Sequence, residues 1–309
     1  MGRNSHDCWF DSCPGSLTEL GSIIGSGIFA SPGPVLEHAE SVGNALLVWV
    51  FAGLLAMTGG LCYAELGTMI PESGGDHPYL LRAFGQLPAF LFSWTGILAA
   101  RPGSIAIIST TAAEYTGRLF NAKTLYPWVT KLVAIFYTCV LSGINILSTN
   151  ASTGFQTLMT LLKVLSLSLI GSYGIFTLII GKPSSTFDNG IFVESDFNPG
   201  SFSLAMYSAL WAYDGWNSLN AVTGELQDPS KNLPRSIIGG LSLVILCYFT
   251  TNLAYYAVLP AETIKTSTTI GLDFGKIAFG SIGMIIIPII VIISTLGVTC
   301  GNRSESNTF

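Results

Sequence analysis

The sequence has little charge. It contains 13 lysines and arginines and 18 aspartates and glutamates in 309 residues, which is 10% of the chain. Soluble domains carry about 25% charged residues, so this composition excludes an ordinary water-soluble globule. Since about 20 apolar residues cross a bilayer as a helix, long uncharged runs predict an all-α polytopic membrane protein. Those runs are 41–64, 132–162, 164–181, 236–261 and 277–302.

Motifs of metal centres and enzymes are also missing. The six cysteines form no CxxC pair and no Cys/His cluster of zinc spacing, and neither HExxH nor GxSxG occurs. The pI is 5.1 and the basic residues are scattered, so the chain has no basic face for nucleic acid. We therefore expect no metal, no cofactor, no enzymatic activity and no nucleic-acid partner.

Eight apolar segments organise the chain. Residues 1–19 are a polar amino-terminal segment that does not resemble a signal peptide, 20–303 are expected to form a single transmembrane domain, and 304–309 are a short tail. Basic residues flank the spans on both sides, so the positive-inside rule leaves the orientation open. The predicted spans are about 20–37, 42–68, 84–115, 127–147, 155–181, 201–223, 236–259 and 279–300.

The first and sixth segments are interrupted near their centres. The first, GSIIGSGIFASPGP, brings Gly21, Gly25 and Gly27 close together, and each glycine disfavours helix. The sixth, YSALWAYDGWNSLN, contains Asp214 and Gly215 at its centre. Non-helical backbone at membrane depth is tolerated only where it lines a cavity or packs within protein. Two such breaks indicate the midplane binding site of a transporter.

Three motifs resemble a known family. They are GSIIGSGIFASPG (21–33), LCYAELGTMIPESGG (61–75) and YSALWAYDGWNSLNAVTGELQDPSKNLPR (207–235). They are similar to the L-type amino-acid transporter light chains of the amino acid–polyamine–organocation superfamily, and LWAYDGWN most resembles the cystine and dibasic amino-acid exchanger subfamily. The resemblance implies an inverted-repeat transporter fold of twelve helices, with helices one and six broken. It also implies sodium-independent exchange of amino acids, cationic, neutral or cystine, at the plasma membrane.

The chain departs from that family in three places. It stops after the eighth of twelve spans, and HDCWFDSCPGSLTEL stands where relatives have the first half of helix one, so we expect a truncated chain with an atypical amino terminus. Family members join a single-span heavy chain through a cysteine that follows span three, but the matching loop, 117–128, has none. A heavy-chain partner would therefore bind without that disulfide. The alternative function is a truncated, non-transporting form that interacts with a full-length carrier.

Backbone groups at the first break are candidates for binding a substrate's carboxylate. Amides of Gly25, Ser26 and Gly27 beside a helix N-terminus suit an anion. The resemblance assigns the same role to this stretch and adds backbone atoms of Ile23 and Ile24. The alternative is close helix packing through small residues.

The second break offers carbonyls and side chains. The carbonyls around Leu210 and Trp211 would accept the substrate's amino group, and the resemblance makes Trp211 an aromatic gate, with a packing tryptophan as the alternative. An ionised Asp214 inside an apolar span costs about 2.5–3.5 kcal/mol on insertion scales, which marks it as functional. The resemblance sets it against a cationic side chain, whereas the alternative is a helix cap. Asn217 is expected one turn further on the same face.

Two basic residues remain. Lys163 carries the only charge between 132 and 181. The resemblance places its ammonium where sodium binds in sodium-driven relatives, bridging helix five to the broken helix one, and the alternative is snorkelling to an interface. For Arg101 we expect only a structural partner on another helix.

Overall fold

A computed structural model describes residues 20–70, 72–119, 126–147, 149–181, 183–187, 190–192, 198–225 and 228–306, and it contains no strand within these ranges. The all-α class is therefore confirmed. The polar segment 1–19, residues 120–125 of the loop predicted to lack a linking cysteine, and the last three residues of the tail lie outside the described residues.

Twelve α-helices follow one another in the described part of the chain. A π-helical turn, Gly96–Ala100, joins the fifth to the sixth, and 3₁₀ turns form at Ser185–Phe187 and Ser218–Glu225. The helices are α1 Gly27–Ala30, α2 Pro32–Ala39, α3 Val42–Met69, α4 Asp76–Phe84, α5 Gln86–Thr95, α6 Arg101–Leu119, α7 Pro127–Leu147, α8 Thr149–Ile179, α9 Pro199–Ala212, α10 Pro229–Val258, α11 Ala261–Thr266 and α12 Ile270–Ser306.

Most predicted spans overlap an apolar helix of suitable length. Among the described residues, five helical stretches are long and apolar enough to cross a membrane, and two shorter ones are apolar as well. The predicted sixth span differs, because α9 ends after 14 residues. The chain is a multi-pass membrane protein. The long stretches are Val42–Met69, Gln86–Leu119, Leu158–Ile179, Pro229–Val258 and Ile270–Thr295, and the short ones are Leu20–Ala30 and Pro127–Val140.

The last helix is bent near its start. At Gly280 the backbone leaves the helical region, with φ 59° and ψ −136°. The two sides of the bend touch, because a Cβ added to Gly283 would clash with the carbonyl oxygen of Gly275. The predicted eighth span, which starts near residue 279, thus begins at this bend.

Buried aromatic rings hold the centre of the fold together. α10 packs along both α3 and α8. The rings of Trp49, Tyr213 and Tyr248 are fully buried where α3, the end of α9 and α10 meet. The ring centroid of Tyr248 lies 5.8 Å from that of Trp49, edge-on, and 5.0 Å from that of Tyr213. Large rings bury much apolar area in fixed geometries, so this cluster anchors the end of α9 against α3 and α10.

Candidate functional site

The first interrupted span bends between two helical pieces. Residues 20–23 are helical, 24–26 form a bend, and α1 begins at Gly27. The side chains of Ile23 and Ile24 are buried, as is Ser26. The predicted break therefore exists, and it is only three residues long.

The second interrupted span turns sharply after α9. The N–H of Tyr213 donates to the carbonyl oxygen of Leu210 at 3.1 Å, and that of Asp214 donates to Trp211 at 3.3 Å. The carbonyls that we predicted to be free are thus engaged in turn hydrogen bonds. Since a carbonyl oxygen has two lone pairs, each retains one further acceptor position.

The two breaks touch each other through glycines. A Cβ on Gly27 would lie 2.5 Å from Cα of Ala212, and one on Gly215 would lie 3.0 Å from the carbonyl oxygen of Ser22. Gly215 also has a φ of +102°, which side-chain-bearing residues rarely adopt. The interrupted spans can approach this closely only because glycine occupies both contact points.

Asp214 hydrogen-bonds to the next residue in the turn and does not cap a described helix, which was its alternative role. Its Oδ1 accepts a hydrogen bond from the N–H of Gly215 at 3.0 Å, and its side chain is exposed. A carboxylate has about four lone-pair sites, so this one bond does not occupy the group. The bond to Gly215 and ligand binding are therefore compatible at this residue.

Two cavities meet at Asp214. The smaller, of about 60 Å³, lies between the breaks, and the larger, of about 550 Å³, extends towards α4, the π-helical turn and α6. Asp214, Gly215 and Ser104 line both. Of the predicted site residues, Ile23, Gly25, Ser26, Gly27, Trp211 and Asp214 line the smaller cavity, Asn217 lines the larger, and Ile24 and Leu210 line neither.

Asn217 is not placed as expected. We predicted it one helical turn after Asp214, but residues 213–217 form a turn rather than a helix. The positive φ of Gly215 prevents regular helix at this point. Asn217 nevertheless shares the larger cavity with Asp214.

Tyr248 on α10 joins the two breaks, and sequence reasoning missed it. Its buried hydroxyl lies 3.0 Å from the carbonyl oxygen of Ile23 and 3.1 Å from that of Ala212. A hydroxyl has a single proton, so it donates to one carbonyl at a time. One side chain therefore fixes the end of each broken helix. A polar group inside an uncharged span was the only available signal.

Lys163 contacts the first interrupted span. Its Nζ donates to the carbonyl oxygen of Gly21 at 2.9 Å, and the side chain is 2% exposed. The ammonium is thus directed into the protein, and the snorkelling alternative is not observed. The contact joins α8 to the first span.

Asp76 and Arg101 contribute opposite charges to the larger cavity. Burial raises the pKa of the Asp76 carboxyl, and a hydrogen bond from Tyr63 and the positive charge of Arg101 oppose that rise. Asp76 Oδ1 is buried with no hydrogen-bond partner in the described part of the chain. Neither residue was predicted to belong to a site. No group of three or more metal-ligating side chains occurs among the described residues.

A polytopic helical protein whose two broken spans meet at a cavity has the architecture of a secondary transporter. The family described as amino acid permease matches residues 18–301, and the chain belongs to that family. It is 41% identical over 283 residues to the rat b(0,+)-type amino acid transporter 1, which covers 91% of this chain and 58% of that protein. The human b(0,+)-type amino acid transporter 1 is 40% identical over 283 residues, which again cover 91% of this chain and 58% of that protein.

A second group of relatives carries another name. The human large neutral amino acids transporter small subunit 2 is 40% identical over 296 residues, which is 93% of this chain and 54% of that protein. The chain therefore spans a little over half the length of these relatives. The family and the relatives are permeases and transporters, not enzymes.

Proposed function

We propose that the chain functions in sodium-independent exchange of cationic and neutral L-amino acids, or cystine, across the plasma membrane. The observation that carries this proposal is the meeting of two broken spans at a cavity with a carboxylate, Asp214, in its wall. The names of the relatives, a b(0,+)-type amino acid transporter and a large neutral amino acids transporter subunit, support amino acids as the cargo. No bond changes; the substrate passes by alternating access around the breaks.

The smaller cavity would hold the part that all amino acids share. Amides of Gly25, Ser26 and Gly27 would donate to a carboxylate near the start of α1, with backbone of Ile23 and Ile24 beside them. The amino group would use the second lone pairs of the Leu210 and Trp211 carbonyls. Trp211, with 37% of its side chain exposed at this cavity, is suited to cover the bound substrate.

The larger cavity would hold the substrate's side chain. At 550 Å³ it lies within the range of about 300–1,000 Å³ typical of ligand pockets, whereas 60 Å³ is too small for a whole amino acid. Asp214 stands at the junction, where its charge can select a cationic side chain. Asn217 lines the wall beyond it.

Lys163 would replace a driving ion. Its ammonium already contacts the first interrupted span through Gly21. A fixed positive charge at this point removes the need for a bound sodium ion and favours exchange over sodium symport.

Uptake of labelled leucine, arginine and cystine tests the proposal. The chain is reconstituted in vesicles without sodium and preloaded with unlabelled amino acid on the inside. We expect uptake that depends on the preload and does not change when sodium is added. Uptake that requires sodium, or the absence of uptake with every preload, would contradict the proposal.

A heavy chain is the proposed protein partner, since one relative is named a small subunit. With no cysteine in 117–128, the pair would lack the disulfide that family members form from this loop. Co-purification with a candidate heavy chain under non-reducing conditions should yield a complex that separates in SDS without reductant. A disulfide-linked band would contradict this assignment.

A non-transporting form that binds a full-length carrier is the second candidate. The observation that favours it is the exposure of the stretch Gln86–Leu119. In its most apolar 18 residues, only 6% is buried inside the structure. Large side chains such as Phe90, Trp94 and Ile97 are exposed along it. This function predicts that the chain alone shows no uptake and that it co-purifies with a full-length carrier expressed beside it.

A further inference from the structure

The larger cavity lies between two walls that belong to different parts of the fold. One wall is the second interrupted span, with Ser218 and Ala221 of its 3₁₀ turn. The other wall is formed by Gly75 and the start of α4, by α5, by the π-helical turn and by α6. A substrate that uses this cavity, as proposed above, must enter and leave it, so the contacts between the walls decide when it is open. The following inference rests on that proposed function.

Two hydrogen bonds join the walls beside α4. Nδ2 of Asn220 donates to the hydroxyl of Tyr79 at 2.9 Å, and the N–H of Gly74 donates to the carbonyl oxygen of Ala221 at 3.1 Å. We call these two contacts the seam. Ala221 itself lines the cavity, as does Gly75, the neighbour of Gly74. The seam therefore closes the cavity along this side.

Asn220 is anchored on α3 as well as on α4. Its Nδ2 also donates to the carbonyl oxygen of Tyr63 at 2.8 Å, and an amide NH₂ group has two protons, so the two bonds coexist. The ring of Trp216 meets that of Tyr63 edge-on, with 4.9 Å between the centroids. The 3₁₀ turn would therefore remain on α3 if the bond to Tyr79 broke.

α4 is attached to α3 through two glycines that can act as a hinge. Gly74 and Gly75, directly before α4, have φ values of 127° and 59°. Such positions suit glycine and can absorb the backbone rotation of a hinge. On its other side α4 is held to α5, since Nδ1 of His77 lies 2.8 Å from Oγ of Ser93. α4 and α5 can thus swing together about the glycines, which opens the seam.

The closed seam leaves one acceptor unpaired. Asn220 is fully buried, and its Oδ1 has no hydrogen-bond partner among the residues that the structure describes. An unpaired buried acceptor costs at least as much free energy as one neutral hydrogen bond contributes, and such groups are rare. Water that enters an opened seam would hydrate Oδ1 and offset the loss of the bond to Tyr79. The closed and open arrangements are therefore close in free energy, as a switch requires.

We propose that Asn220 is the latch of the larger cavity. While its amide is bonded to Tyr79, the seam is closed and the cavity is shut beside α4. When that bond breaks, α4 and α5 move away from the 3₁₀ turn and open the cavity on this side. Asn220 lines neither cavity, so it acts on transport as a positioning residue, through Tyr79, and not by contact with the substrate.

Thiol labelling of a reporter in the cavity measures this opening. The six native cysteines are replaced by alanine, and Ser218→Cys introduces a buried reporter that lines the larger cavity. The rate at which the purified chain reacts with a soluble maleimide is followed in detergent. Ser166→Cys, at a buried position on α8 that lines neither cavity, is the reporter for general loosening.

The expected rates differ between reporters. Tyr79→Phe removes one net hydrogen bond, so the reporter at 218 should react about fivefold faster and the reporter at 166 at its original rate. Tyr207→Phe, which removes an exposed hydroxyl on α9, should change neither rate. Asn220→Ser should also speed labelling at 218. Adding Tyr79→Phe to Asn220→Ser should have no further effect, because the same bond is already lost.

The latch is overturned if Tyr79→Phe leaves labelling at 218 unchanged or speeds labelling at 166 equally. It is also overturned if the effect of Tyr79→Phe persists in full beside Asn220→Ser. Labelling needs no transport, so its outcome is separate from the vesicle uptake described above. Selective labelling at 218 in a chain that shows no uptake would refute the proposed transport and leave the latch standing.

Discussion

The two cavities that meet at Asp214 differ in what their walls present. The smaller is lined by backbone and small side chains of the breaks, such as Gly25, Ser26 and Gly27. The larger is lined by side chains that carry charge or hydrogen-bonding groups, including Asp76, Arg101 and Asn217. Backbone groups can recognise what every amino acid shares, whereas side chains can distinguish what differs. Affinity is therefore expected to arise in the first cavity and selectivity in the second.

The largest effect is expected where the smaller cavity depends on contact between the two breaks. Gly27→Val should abolish uptake of leucine and arginine alike, because a Cβ at this position would lie 2.5 Å from the backbone of Ala212. Backbone cannot move aside as a flexible side chain can. The measurement is uptake of both labelled substrates by vesicles that contain equal amounts of folded protein.

Gly239→Val is the matched control for this prediction. Gly239 also lies in a helix, and a Cβ there meets no atom within 4 Å. This variant should retain uptake. Equal losses in the two variants would show that the effect is general helix damage and would remove the special role of the contact.

A smaller but still uniform loss is expected from Lys163→Met. The substitution keeps an unbranched side chain that is one atom shorter and removes the donor to the buried carbonyl of Gly21, which costs about 1–3 kcal/mol. We expect a lowered Tm and about tenfold slower uptake of every substrate. Lys276→Met, at an exposed position, should change neither. Unchanged leucine uptake with a selective loss of arginine uptake would contradict a uniform role for Lys163.

The smallest uniform effect is expected from Tyr248→Phe. The ring remains in the aromatic cluster, and only the hydroxyl that bridges Ile23 and Ala212 is removed. One net hydrogen bond predicts about fivefold weaker uptake for leucine and arginine alike. Tyr137→Phe, which removes a hydroxyl bonded to Thr116 away from the breaks, serves as the control. If uptake of only one substrate changed, Tyr248 would affect selectivity, which would contradict the assignment of affinity to the smaller cavity and selectivity to the larger.

Much of the smaller cavity could be predicted from the sequence. Clustered glycines and the Asp214–Gly215 pair have strong local preferences that act against helix, so their position in otherwise apolar runs marks both breaks. The charge-free runs indicate the spans, because a helix of about 20 apolar residues can cross a bilayer and such a run is visible in the sequence itself. Lys163 is likewise identifiable as a candidate from the sequence, because it is a lone charge in a long apolar run.

The larger cavity could not be predicted in this way. Asp76 lies in a polar connection, where acidic residues are ordinary, and only tertiary packing of α4 against Tyr63 and Asn220 brings it to the cavity. Tyr248 lies in a span that is apolar on all sides, so helical periodicity does not show which face meets the breaks. The turn that displaces Asn217 contains Gly215 at positive φ, and it packs against Ser22, which is distant in sequence.

The most direct test of the division between affinity and selectivity is the arginine-to-leucine ratio of kcat/KM in two variants. Asp214→Asn keeps an oxygen that accepts from the N–H of Gly215 and removes only the charge, so the ratio should fall about tenfold, as for loss of a charged hydrogen bond. Tyr248→Phe should leave the ratio at its original value while both uptake rates fall. An unchanged ratio in Asp214→Asn, or an equal shift in both variants, would contradict the account.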